Sequence, residues 1–276
     1  MSFTEKDGDE DKPNKVLAVV VNNGEKKIKG EGTIIYLDEE PSIKNKVIKE
    51  QVISEISLAN PELQFQVVPN DKDRVIYLQG SQGSGKSFWI RQYCEKYKKI
   101  YPKTKFYLFT QLDKDPSLDI IKPHRITMDE TLITNPIDLD EIGVEDVIIF
   151  DDFQYLDNKK LQAAVNQLLI KILALGRHIG EDSDKYTGGT HVLISTHING
   201  LSKEISRQIM VHANCFVLFP ASGSQFQVKY LLKQYLGLSG PQITKVLALD
   251  SRSVCIFKSY PNLFVSDHKM MFLKDL

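Results

Sequence analysis

Gly80-Ser81-Gln82-Gly83-Ser84-Gly85-Lys86-Ser87 stands between the apolar run Val75-Ile76-Tyr77-Leu78 and the segment Phe88-Trp89-Ile90. The pattern G-x-x-x-x-G-K-[ST] gains its meaning from that context: a strand, a glycine-rich turn, then a helix. Glycine lets the backbone wrap closely around a polyphosphate, because no Cβ intervenes. The first amides of the following helix point at the same anion, and the helix dipole favours negative charge there. Residues Gly80, Ser81, Gln82, Gly83, Ser84 and Gly85 are therefore expected to cradle phosphate. Lys86 is expected to reach the β- and γ-phosphates, and the Ser87 hydroxyl to coordinate Mg²⁺. ATP with Mg²⁺ is the ligand this stretch implies.

Downstream, apolar strands alternate with helical patterns. Lys105–Thr110, Asp146–Phe150, His191–Ser195 and Cys215–Phe219 read as strands. The helices expected between and after them run from the loop to about Tyr97, then Asn158–Leu175, Leu201–Val211, Gln225–Leu236 and Pro241–Leu249. Ser253–Ser259 and Leu263–Val265 close the chain as a β element, Leu118–Ile142 is irregular, and Gly180–Thr190 is a polar surface loop. Such alternation predicts an α/β fold, a mostly parallel sheet with helices on both faces, of the P-loop type. Ligands of such sheets sit at the carboxyl ends of the strands.

Upstream, residues 1–14 lack an apolar period and read as a tail, and residues 15–72 as a small β-rich accessory segment. Within it, Val16–Val21 and Thr33–Leu37 suggest a strand pair, Ser42–Leu58 an amphipathic helix and Leu63–Val68 a strand. The P-loop domain is expected over residues 73–276.

Of the 276 residues, 42% are hydrophobic and 26% charged, the make-up of a globular chain. Thirty-five basic against 36 acidic residues leave a net charge of -1, so any nucleic-acid contact must be local or arise on assembly. Cys94, Cys215 and Cys255 are scattered and unpaired in sequence, which points to a reducing compartment. The polar N-terminus is unlike a signal peptide, and no apolar run is long enough to span a bilayer.

Val147-Ile148-Ile149-Phe150-Asp151 is four apolar residues and then an acid, the shape of a buried strand with a carboxylate at its tip. Asp151 is expected to hold Mg²⁺, and Asp152 to polarise an attacking water as general base. Capping of a following helix is the bland alternative for either acid. Val192-Leu193-Ile194-Ser195-Thr196-His197 ends another strand in polar groups, so Thr196 and His197 are candidates to sense the γ-phosphate, or simply to cap the strand. Phosphoryl transfer also needs a cation for its transition state, and Arg177, Arg207 and Arg252 are the candidates.

Taken together, the chain resembles the FtsK/HerA superfamily of P-loop motor ATPases, and within it the poxvirus-type genome-packaging ATPases of large DNA viruses. The resemblance runs from about Arg74 to about Ser259. It rests on Gly80–Ser87, Phe150-Asp151-Asp152, Leu175-Gly176-Arg177-His178, Leu193–His197, Phe216–Pro220 with Ser222-Gly223-Ser224, and Tyr235–Leu238. Relatives usually carry Gln where His197 stands, Asp152 replaces a more usual Glu, and the loop Glu181–Thr190 is longer. The resemblance implies a homo-oligomeric ring, commonly a hexamer, that threads double-stranded DNA. It also implies a capsid or portal-like partner, assembly in the host cytoplasm, and an arginine finger in the region that holds Arg177.

Two rival readings remain at this point. A small-molecule or nucleoside kinase shares the loop and the sheet, but it needs an arginine-bearing lid, and Glu181–Thr190 offers only Lys185. An ATP-binding assembly regulator would not need Lys86, Asp151 and Asp152 together. No Asn-Lys-x-Asp guanine reader is present.

Overall fold

The computed structural model describes residues 2–6, 16–22, 28–38, 55–69, 74–135, 137–176, 190–197, 201–222, 225–259 and 261–273. Its centre is a ten-stranded sheet. Six strands run parallel in the spatial order β11 (Cys215–Leu218), β6 (Val75–Gln79), β10 (His191–Thr196), β9 (Val147–Asp151), β7 (Phe106–Thr110) and β8 (His124–Thr127). Beyond β11 the sheet turns antiparallel through β12 (Val254–Phe257), β13 (Asn262–Ser266), β14 (Lys269–Leu273) and β4 (Glu55–Ser57). A mostly parallel α/β sheet is thus the architecture, as expected.

The side-chain period of a strand is two, so each central strand feeds both faces of the sheet. Ile76, Leu78, Val147, Ile149 and Leu193 face one layer, where they meet Ile90, Tyr93, Cys94 and Tyr97 of α1 (Lys86–Ile100). Those four positions recur at helical spacing and make one apolar stripe. Tyr77, Ile148, Phe150 and Ile194 face the other layer, packed by α3 (Lys159–Leu175), α4 (Lys203–His212), α5 (Gln225–Gln234) and α6 (Gly240–Leu247). Asn158 starts α3 by accepting the backbone N–H groups of Lys160 and Leu161. A short helix, α2 (Thr131–Thr134), lies between β8 and β9. The three cysteines are buried and free, and no described helix is long and apolar enough to cross a membrane.

The N-terminal region departs from expectation in two places. Ser2–Lys6, read as part of a tail, forms β1, antiparallel to β3 (Ile34–Asp38). Its partner is the free edge of β3, a tertiary feature that a segment without apolar period does not announce. Together β1, β3, β2 (Val16–Asn22) and β5 (Leu63–Val67) make a second, antiparallel sheet. Leu17, Ala18 and Ile35 share one apolar core with α1, so this sheet is a layer over α1. The predicted helix Ser42–Leu58 falls largely outside the described residues, and its end, Glu55–Ser57, is the edge strand β4. Leu118–Ile142 holds one strand that was not predicted, β8, and Lys269–Leu273 is another, β14.

Candidate functional site

The phosphate loop leaves β6 at Gly80 and enters α1 at Lys86. Only glycine fits at Gly80: an added Cβ would stand 2.5 Å from Ser84 Oγ and 2.9 Å from the Phe219 ring. Gly85 is the residue before the helix and holds φ 110°, a left-handed value that L side chains rarely adopt. No acid sits in the first turn of α1, so its amides are left to an anion. Lys86 is buried and folded back over the loop, its Nζ donating to Gly80 O at 3.0 Å and Ser81 O at 3.2 Å. Burial lowers its pKa, while Asp152 and Asp151 oppose the shift. Ser87 is half-buried beside it, and Gln82 and Gly83 are exposed at the tip.

Three neighbours brace the loop. Gly80 N donates to Thr196 O of β10 at 3.3 Å. Ser81 Oγ donates to Ser222 O, in the turn after β11. Arg252, just before β12, donates from Nε to Ser84 O at 3.2 Å, and its guanidinium fills the space a Cβ on Gly85 would need, with Nε 2.8 Å from that position. The same guanidinium lies 5.8 Å from the Phe88 ring centroid, and Asp267 holds the Arg252 backbone N–H at 2.9 Å. A cation drawn from 168 positions away thus acts within the same chain.

β9 delivers the acids. Val147–Phe150 are fully buried, with Phe150 stacked on Phe109 of β7 at 4.6 Å between centroids. Asp151 is 5% exposed, and burial, then the Asp152 charge, push its pKa up to about 6, against a smaller opposing effect of the Ser195 hydroxyl. Asp152 leaves the strand with a left-handed backbone, φ 49°, and its N–H donates to Ser195 O at 3.0 Å. A non-glycine residue in that region is uncommon and turns the carboxylate out of the strand's alternation. That carboxylate meets His197 Nε2 at 3.1 Å and Gln154 Nε2 at 3.4 Å.

Mg²⁺ fits this donor set. It takes one or two protein carboxylates and keeps several waters. Ser87 and Asp151 offer one hydroxyl and one carboxylate, and the neutrality that burial favours at Asp151 is what a cation would reverse. Among the described residues no cluster of three or more His, Cys, Asp or Glu forms a protein cage for a metal.

The structure separates the remaining candidates. Thr196 shares the strand parity of Ile194, so it faces α3–α6 and away from α1. It is wholly buried, with Oγ1 2.9 Å from the Tyr77 hydroxyl. Ser195, of opposite parity, is the β10 side chain on the side of Asp151. Arg207 is exposed on α4. Arg177 and the loop 181–189 lie outside the described residues. Missed by sequence reasoning were Phe219 and Ser222 as loop braces and Gln154 as an Asp152 partner. Arg252 was marked only as a candidate finger, and nothing local in the sequence pairs it with Gly85.

The glycine-rich turn, the sheet order and the paired acids define a P-loop nucleoside-triphosphatase fold. No protein-family model matches the chain. It is 35% identical over 212 residues to the protein named "Uncharacterized protein V3" of Sputnik virophage, covering 75% of this chain and 80% of that one, and it belongs to the same family. Among solved structures, it is similar to B204, the DNA-packaging ATPase from Sulfolobus turreted icosahedral virus, with 15% identity, 71% and 98% of the two chains covered and a TM-score of 0.47. The genome packaging NTPase B204 from Sulfolobus turreted icosahedral virus 2 in complex with AMPPCP gives 13%, 70% and 97%, and 0.46. The pCW3 conjugation coupling protein TcpA gives 11%, 94% and 77%, and 0.42.

Proposed function

We propose that the chain is an ATP-hydrolysing, Mg²⁺-dependent motor of the FtsK/HerA type that drives a double-stranded viral genome into a capsid. The observation that best supports hydrolysis is the arrangement of three adjacent strand ends. β10 lies between β6 and β9, so the phosphate loop, Ser195-Thr196-His197 and Asp151-Asp152 stand side by side. The Asp152 carboxylate is hydrogen-bonded to His197 across that gap, a base held by an orienting group.

In this reading Lys86 gives up its two loop carbonyls for the β- and γ-phosphates, and the amides of α1 hold the same oxygens. Ser87 and Asp151 hold Mg²⁺, which when bound neutralises charge on the phosphate oxygens. Asp152 takes the proton of the attacking water, and His197 keeps its carboxylate aimed. An arginine from a neighbouring copy, with Arg177 the leading candidate, completes the site in a ring. DNA, the ring, the capsid partner and a place of assembly in the host cytoplasm are carried into this reading by the ordered motif set and the resemblance that rests on it.

The test is steady-state ATP hydrolysis with and without long double-stranded DNA, with the solution mass measured in ATP and Mg²⁺. Stimulation by DNA in a ring-sized assembly, abolished by Lys86→Ala, is expected. Phosphate transfer to nucleosides by a monomer, with no response to DNA, would reject the reading in favour of a kinase.

A further inference from the structure

Five of the ten residues 96–105 are lysine, in a chain whose net charge is -1. Four of them, Lys98, Lys99, Lys103 and Lys105, line a single open cavity of about 600 Å³ together with Lys122. His124, stacked on Tyr107 at 5.5 Å, adds an imidazole at its edge. The cavity lies at the C-terminal end of α1, between the connection to β7 and the 3₁₀ turn Asp119–Ile121 that precedes β8. Its floor is apolar, formed by Cys94, Phe106 and Ile121. Parallel strands enter the sheet here, so it is the rim opposite the phosphate loop.

Among the described residues the charge is not neutralised. Glu95 is the one carboxylate among the described residues of the lining, and it faces Arg91 at 3.6 Å. Asp119, on the adjoining turn, is paired with Arg125. None of the five lysines has a carboxylate partner among the described residues. The helix dipole accounts for Lys98 and Lys99 in the last turn of α1, but not for Lys103, Lys105 and Lys122.

We propose that this cavity is a docking surface for the phosphate backbone of duplex DNA. Lysine is a compact, strongly hydrated point charge suited to phosphate, and no arginine, asparagine or glutamine is among the described residues that line the cavity. All five lysines are exposed, which suits a long anion laid across them better than a small one buried beneath. The surface is distinct from the exposed lysines of α5, Lys229 and Lys233. It also sits at one end of a single rigid helix whose other end carries Lys86 and Ser87, about 22 Å away at 1.5 Å per residue. DNA held here would therefore bear on the element that holds the nucleotide. The proposal rests on the reading of the chain as a DNA motor.

The test is equilibrium binding of a labelled short duplex to the full chain, measured across salt concentrations. Lys99→Gln, Lys103→Gln and Lys105→Gln are combined in one variant; Lys98 is left because its Nζ donates to Thr104 O. Loss of three phosphate contacts lowers the slope of log K against log salt by about 2.7, at about 0.9 per contact. ATP hydrolysis without DNA stays at the wild-type rate, which certifies the fold. A variant with the wild-type slope overturns this surface and leaves the motor reading standing. So does a slope that falls instead in Lys229→Gln with Lys233→Gln. A wild-type chain that binds no duplex overturns both.

Discussion

The Asp152 carboxylate and the His197 imidazole lie 3.1 Å apart, joining the ends of two adjacent strands, β9 and β10. The contact exists because Asp152 takes a left-handed backbone that carries its side chain sideways. Asp152→Asn should therefore bind ATP and lower kcat by about 10²–10⁴, the usual worth of a general base. His197→Ala should lower kcat by roughly tenfold with KM little changed, as expected of one lost charge-assisted hydrogen bond. His197→Gln, which keeps a donor, should recover most of that loss. Steady-state kinetics of the three variants decide the matter; wild-type kcat in His197→Ala removes the imidazole from turnover.

Arg252 acts on the loop in cis. Its guanidinium bonds Ser84 O and occupies the space beside Gly85. Removing it frees the loop ahead of α1, so Arg252→Ala should raise KM for ATP by about tenfold, the scale of one hydrogen bond from a charged donor. A trans-acting finger would instead lower kcat and leave the affinity for ATP unchanged. Nucleotide affinity measured by fluorescence alongside kcat separates the two roles. Gly85→Ala should be worse than either, since its Cβ meets both the guanidinium and an unfavourable φ.

What the sequence made legible was local. The phosphate loop, β9 and α3 each carry their pattern within a few residues: glycines at fixed spacing, four apolar residues before an acid, an apolar stripe behind Asn158. What it hid depends on distant partners. β4 is three residues long and exists because β14 offers an edge, and β14 in turn depends on the turn in which Ser266 Oγ donates to Lys269 O. Which face Thr196 presents is equally hidden, because strand parity matters only once the helices on each face are known. Arg252 was one basic residue among thirty-five until the sheet carried β12 beside the loop.

His191 begins β10 wholly inside the protein, its Nδ1 3.3 Å from the Tyr93 hydroxyl and its ring edge-on to Tyr97. Burial, with Arg74 adding to it, drives its pKa down to about 3. A depressed histidine is neutral in the folded chain while the unfolded chain takes up a proton below about 6.5. The unfolded state therefore binds more protons, and stability falls with acidity by up to about 1.4 kcal/mol per pH unit between pH 6.5 and 3. Chemical denaturation of wild type and His191→Leu at pH 7 and pH 5 should show a smaller acid loss in the variant. An equal loss would mean that this ring does not set the acid limit.

Asp151 has the opposite sign. Its folded pKa stands near 6 against an ordinary 3.8, because the carboxylate is buried beside Asp152. Between those values the folded chain holds the extra proton, so this residue's contribution to stability falls as pH rises from about 4 to 6 and is flat above. Asp151→Asn keeps the shape and removes the charge, so near pH 7 the variant should be more stable by an amount on the order of 2 kcal/mol, a gain that shrinks to nothing near pH 4. The same variant should lose most ATP hydrolysis, because a neutral amide replaces the carboxylate that with Ser87 would hold Mg²⁺. Thermal melts without nucleotide across that pH range provide the check. A variant less stable than wild type at pH 7 would show that the Asp151 charge is already compensated within the fold, and would take away the reason to expect a cation there.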